Sequence, residues 1–205
     1  MMTLHTSLDS SGGFVDPVKS SQSVFRSVMN ALARPGSVQT VAEGVHAPSP
    51  MMTATAAVSL ALFDHDTPIW IDDRFSAEPA IDTWLRFQTG APLTSDASRA
   101  AFALIHDGAA LPDFEGFAPG TPEYPDRSTT LVIQVGTLTE GRAQTLSGPG
   151  IRGTSTLRAG GLPSDFAERM QANHALFPRG VDLLLVCGAE LVALPRSTLI
   201  TARGA

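Results

Sequence analysis

Lysine is nearly missing from this chain of 205 residues: of its 14 basic residues, Lys19 is the single lysine. A Schiff-base cofactor enzyme needs a placed, desolvated lysine. Lys19 falls on an expected first helix in a serine-rich stretch, a poor place for one, and no cofactor is expected. The same scarcity removes the P-loop, since G-x-x-x-x-G-K-[ST] needs a lysine after glycine and Lys19 follows Val18. Cysteine is as scarce. With Cys187 alone, neither a disulfide framework nor a Cys-ligated zinc or iron-sulfur centre can be built within one chain. Cys187 closes the apolar run Val181 to Val186 and is expected as a buried strand residue.

Charge is also sparse, at 17% of residues, and its balance is acidic: the net charge is -6 and the pI near 5.2. That balance argues against nucleic acid or an anionic membrane as a general partner, while leaving room for an arginine site that holds one small anion. Residues Met1 to Asp16 show no basic region followed by an apolar run, so no signal peptide is expected. No stretch approaches the length of a membrane span, and a cytoplasmic protein is the natural expectation. The length suits one sizeable core. We expect a flexible arm over residues 1–16, rich in Ser, Thr and Gly, and a single α/β domain over 17–205.

What is present gives the order of elements. Asp16-Pro17 reads as N-cap and first helical position, with Val18, Phe25, Val28, Met29 and Leu32 at helical spacing until Arg34-Pro35-Gly36 stops the helix. Ser37 to Val41 suggests a short strand, and Met51 to Phe63 a helix apolar on nearly all sides. Thr67 to Asp72 reads as a strand, and Glu78 to Gln88 as a helix with Ile81, Trp84 and Leu85 inward and Gly90 as its stop. Phe102 to Ile105 reads as a buried strand, and the proline-rich Leu111 to Asp126 as the longest loop. Thr129 to Val135 and Arg142 to Leu146 predict an antiparallel hairpin around Glu140-Gly141. Ser164, Asp165 and Glu168 open a helix to about Ala175, before strands at Val181 to Val186 and Leu191 to Leu194. Helices alternating with buried strands predict a three-layer α/β/α sandwich with a mixed sheet.

The stretch richest in special chemistry is Leu146-Ser147-Gly148-Pro149-Gly150-Ile151-Arg152-Gly153. Gly148 to Gly153 formally matches G-x-G-x-x-G, but the dinucleotide fingerprint needs a helix to open there, and Thr154 to Gly161 is β-branched and glycine-rich. Two readings stay open: a structural turn, or a loop whose backbone N-H groups at Gly148 and Gly150 cradle an anion beside Arg152. Arg179 and Arg196 are further anion candidates, set against an Arg179–Asp182 ion pair that anchors a strand. Asp64-His65-Asp66 and Asp72-Asp73 bracket one strand and could in principle meet around a divalent ion, but capping turns explain them as well, and no metal is expected. His106-Asp107-Gly108 marks a strand end, and His174 a helix end. No nucleophile, acid and base set with a known spacing is present, so no catalytic residue is assigned.

These segments together resemble the H-subunit family of the bacterial carbon-phosphorus lyase system, PhnH. The resemblance rests on Phe25-Arg26 through Arg34-Pro35-Gly36, Leu62-Phe63-Asp64 to Trp70-Ile71, Ser128 to Val132, Leu146 to Ile151, Asn173 to Asp182 and Leu194-Pro195-Arg196-Ser197-Thr198. It implies a subunit of the step in which an alkylphosphonate displaces adenine from ATP at ribose C1, giving a ribose 1-alkylphosphonate 5-triphosphate. It further implies a homodimer, partner subunits G, I, J and L, ATP or phosphonate met only within the complex, and a chain that is not catalytic alone. The fold implied is that of pyridoxal-phosphate-dependent transferases without the cofactor. The role left for this chain is assembly, with a phosphate- or phosphonate-binding loop in a shared active site as the alternative.

Overall fold

The computed structural model of the protein describes residues 12–41 and 44–202. Of the expected arm, residues 1–11 lie outside the described residues, and Phe14 packs on the core. Six strands form one mixed sheet in the order β1-β8-β7-β4-β3-β2. Its centre is parallel: β2 (Ile69–Ile71), β3 (Phe102–Ile105), β4 (Thr130–Gln134) and β7 (Asp182–Cys187) run the same way. At one side β8 (Glu190–Leu194) returns antiparallel to β7, and β1 (Gln39–Thr40) pairs antiparallel with β8. The protein is therefore α/β with a mixed sheet, as its alternation of elements foretold.

Alternate residues of the central strands feed two cores. Leu104, Val132, Leu184 and Val186 face α1 (Pro17–Ala33), α2 (Thr53–Leu62), α3 (Asp73–Ser76) and α4 (Pro79–Thr89). Ala103, Ile105, Leu131, Ile133, Leu183 and Leu185 face the other way. Their cover is α5 (Phe166–Ala175) together with a second, three-stranded antiparallel sheet of β6 (Ser155–Leu157), β5 (Gln144–Ser147) and β9 (Leu199–Ala202). The second cover is thus only partly helical.

The expected β4–β5 hairpin does not form. β4 carries the apolar run Leu131 to Ile133, buried on both faces, which suits a central parallel strand, and it pairs with β3 and β7. β5 buries only Leu146 and so belongs to a sheet with one wet face. The helix α1 also differs from expectation. Asp16 caps it by accepting the Lys19 N-H at 3.2 Å, as its sequence suggests. Yet its buried face is Val24, Val28 and Ala31, because the small Ala31 allows close approach to the alanine-rich α2, and Val18, Phe25 and Met29 stay exposed. Cys187 is partly buried rather than buried, with its Sγ 3.5 Å from the Gly136 carbonyl oxygen. Among the described residues no helix is long and apolar enough to cross a membrane.

Two polar knots fix the two edges of the parallel strands. At the carboxyl edge, buried Gln134 makes four hydrogen bonds. Its Oε1 accepts from the Met52 N-H at 2.6 Å and the Thr55 hydroxyl at 3.0 Å, and its Nε2 donates to the carbonyls of Pro50 at 3.1 Å and His106 at 3.3 Å. Gln134 thus takes the N-H of Met52, the N-cap residue of α2, while the Gly188 carbonyl takes the Ala54 N-H in its first turn at 2.9 Å. At the amino edge, Arg196 follows β8 and its side chain is 13% exposed. Its Nε donates to Asp182 Oδ1 at 3.1 Å and its Nη1 to the Pro125 carbonyl at 2.6 Å, while Nη2 reaches Asp182 Oδ2 and the Ser128 hydroxyl. The Arg196 N-H adds a bond to Asp182 Oδ1 at 2.7 Å.

Each knot generates a stability prediction. Gln134→Leu leaves several buried backbone and hydroxyl groups without partners and should lower the unfolding free energy by about 3 kcal/mol. Urea unfolding monitored by circular dichroism checks this, and an unchanged midpoint would show that α2 caps itself. Arg196→Ala strands the Asp182 carboxylate and should cost about 3–5 kcal/mol, of which the double variant with Asp182→Ala recovers part. A double-mutant cycle in the same assay reads the coupling, and strict additivity of the two losses would refute the pairing.

Candidate functional site

The glycine-rich loop joins β5 to β6, and its glycines are held by neighbouring backbone. A Cβ on Gly148, whose φ is +132°, would lie 2.7 Å from the Ser197 carbonyl oxygen. Gly150, with φ +81°, rests on the end of α1, where a Cβ would collide with the Ala33 carbonyl oxygen and stand 3.0 Å from Pro35. From the other side, Gly36 has φ +82° and would drive a Cβ into the Leu146 side chain at 2.6 Å. No helix opens after the loop. Ser155–Leu157 is a strand, as the β-branched sequence allows, and a dinucleotide cradle has no helix N-terminus to use.

Arg152 stands exposed on this loop, with no side-chain partner among the described residues. Arg196 is different, because its donors are spent on Asp182, Ser128 and Pro125, with a longer reach of 3.4 Å to the Pro178 carbonyl. Arg196 thus takes the partner that the sequence offered to Arg179. Arg179 is a half-buried residue whose side chain has no partner among the described residues, and it lines a cavity beside α5.

The acidic and histidine candidates fall into structural roles. Asp64 closes a turn by accepting the Thr67 hydroxyl at 2.6 Å and the Asp66 N-H at 3.0 Å, and these bonds, Thr67 first, hold its carboxyl below the ordinary range. Asp72 caps α3 through the Phe75 N-H at 2.9 Å and ties β2 to β3 through the His106 N-H at 2.7 Å. The His106 ring stands 3.7 Å from the same carboxylate, too far for a hydrogen bond. His174 Nδ1 meets the Arg196 carbonyl oxygen at 3.2 Å. Among the described residues no group of three or more His, Cys, Asp or Glu could hold a metal ion.

The motif segments other than Leu62 to Ile71 therefore converge on one another. Arg34-Pro35-Gly36 packs on Leu146 to Gly150; Gly148 touches Ser197; Arg196 binds Asp182, Ser128 and the backbone of Pro178. This cluster occupies the amino edge of the parallel strands, where α/β folds keep stability features, and not the carboxyl edge, where they keep ligands. Sequence reasoning missed Asn173, whose buried amide accepts the Val181 N-H at 2.8 Å and donates to its carbonyl at 2.9 Å. It also missed Gln134, although a glutamine closing an apolar strand signals a buried polar group in need of partners.

Comparison with known proteins covers nearly all of the described residues. A family model described as bacterial phosphonate metabolism protein (PhnH) matches residues 12–201. The alpha-D-ribose 1-methylphosphonate 5-triphosphate synthase subunit PhnH of Rhizobium meliloti (strain 1021) is 45% identical over 188 residues, covering 92% of this chain and 94% of that protein. A putative C-P lyase subunit protein, HtxG, of Stutzerimonas stutzeri is 32% identical over 185 residues, covering 90% of this chain and 87% of that protein. With the model spanning almost every described residue and the motif cluster folded as one unit, this chain belongs to the PhnH family of bacterial phosphonate metabolism proteins.

Proposed function

We propose that this chain is the H subunit of a carbon-phosphorus lyase complex that forms ribose 1-alkylphosphonate 5-triphosphate from ATP and an alkylphosphonate, releasing adenine. Its role there is assembly. The observation that carries this reading is the commitment of the motif residues to one another: Arg196, Asp182, Gly148 and Gly150 are used up in holding four chain segments together. The 45% identical relative, named as a subunit of the synthase, supports the choice of complex. Subunits G, I, J and L are the partners this reading assigns, with a homodimer in the free state, a cytoplasmic setting and neither nucleic acid nor membrane as partner. The fold proposed is a three-layer α/β/α sandwich like that of pyridoxal-phosphate-dependent transferases without the cofactor. Exposed Val18, Phe25 and Met29 on one stripe of α1 give the chain apolar surface that a partner subunit can cover.

A second reading rests on Arg152, an exposed arginine without a partner on a loop where Gly150 and Gly153 both have positive φ. In this reading the loop reaches a phosphate or phosphonate group in a shared active site. One experiment separates the two: adenine release from ATP and methylphosphonate by the reconstituted complex, with assembly followed by size-exclusion chromatography. Omitting this chain should abolish release, and Arg152→Ala should leave both assembly and rate within about twofold of the wild type, as for a surface substitution. Lost activity in an intact Arg152→Ala complex would place the loop in the active site. Full activity without this chain would sink the subunit reading itself.

A further inference from the structure

Between α5, the turn that follows it and the loop before β4, the surface folds inward to a cavity of about 510 Å3. That size suits a small organic ligand. Phe114, Phe117, Leu176 and Val181 give it apolar walls. Two arginines also line it, in different states. Arg169 is committed, to Asp113 at 3.0 Å, to Asp165 at 2.9 Å and to the Leu111 carbonyl at 3.0 Å. Arg179 is half-buried and has no side-chain partner among the described residues. A partly buried arginine whose guanidinium is not engaged by the protein, beside apolar walls, suits an anion as its counterpart.

The backbone that carries Arg179 is fixed before any ligand arrives. The Arg179 N-H donates to the Leu176 carbonyl at 3.0 Å and the Gly180 N-H to the Pro119 carbonyl at 2.8 Å. Asn173 clamps Val181 by both its backbone groups. Gly180, with φ +121°, sits so close to Asn173 that a Cβ would lie 2.7 Å from Oδ1. Rigidity of this kind lowers the ordering cost of binding. Glu115 also lines the cavity, is exposed, and adds a negative charge that disfavours a polyanion such as a triphosphate.

We propose that this cavity binds a small organic anion, its acidic head on Arg179 and its apolar body between Phe114 and Phe117. The inference is independent of the subunit reading, because it concerns the isolated chain, and it is distinct from the Arg152 loop. Calorimetric titration of the full chain at low ionic strength tests it, with phenylphosphonate and benzoate as probes and inorganic phosphate as a head group without a body. One of the two aromatic probes should saturate a single site at millimolar concentration or below, and the preferred one names the head group. Inorganic phosphate should bind about tenfold more weakly, having no apolar surface to bury. Arg179→Gln should weaken the preferred probe by about tenfold or more, the loss of a charge-assisted hydrogen bond. Ala172→Trp, which fills the cavity from the exposed side of α5, should abolish binding, and Arg152→Gln should leave it unchanged. Thermal unfolding shows that each variant is folded. No saturable binding of either aromatic probe, or binding that survives both Arg179→Gln and Ala172→Trp, overturns the proposal.

Discussion

An arginine side chain that is 13% exposed must have its charge met inside the protein, and how Arg196 meets it organises one whole edge of the sheet. Its acceptors come from the strand it pairs beside, at Asp182, from the loop before β4, at Pro125 and Ser128, and from the turn after α5, at Pro178. The loop at Pro125 and Ser128 is remote in sequence from the stretch that holds Pro178 and Asp182. A planar fork with five donors joins them in a fixed geometry, which a lysine's single ammonium could not do. The turn that bears Arg196 then continues into Ser197, whose carbonyl abuts Gly148, and Gly150 in turn rests on the end of α1. One ion pair thus stands at the centre of a chain of close contacts that runs through every signature segment at this edge.

That arrangement changes what the signature residues mean. Glycines beside an arginine have the composition of an anion site, and on composition alone Gly148, Gly150, Arg152, Arg179 and Arg196 form one set. In space they divide. The glycines are required by backbone approach, Arg196 by its carboxylate, and only Arg152 and Arg179 keep unspent charge, the first in open solvent and the second in a cavity wall. A cation whose donors are already met by the protein has nothing further to give a ligand, so availability and not residue type separates structural from functional arginine.

Much of the fold was legible because its signals are local. Asp16-Pro17 and Arg34-Pro35-Gly36 bound α1, Gly90 ends α4 in the left-handed conformation, and the apolar runs at Phe102, Leu131 and Leu183 are the central strands. The misses share the opposite property. Whether β4 pairs with β5 or with β7 depends on residues some fifty positions apart that no turn signal couples. The rotation of α1 depends on the small side chains of α2, and the partner of Asp182 on a turn beyond the next strand. β9 and the four-residue α3 are short enough that their patterns do not rise above the surrounding loop.

The two edges of the parallel strands also differ in how their polar groups are satisfied, and this bears on where the chain can respond to a partner. At the amino edge the partners are charged, and the bonds tie loops to strands. At the carboxyl edge Gln134, a neutral group, holds α2, the turn at Pro50 and the end of β3 through four bonds that leave none of its donors or acceptors idle. A neutral amide whose donors and acceptor sites are all engaged has no hydrogen bond left for a ligand. At the edge where α/β proteins commonly do their chemistry, the end of β4 here carries a structural amide. The apolar stripe of α1, the Arg152 loop and the Arg179 cavity face outward, on the periphery of the two cores. A chain built in this way keeps its interior for stability and meets other molecules at its surface, as suits a subunit that works in company.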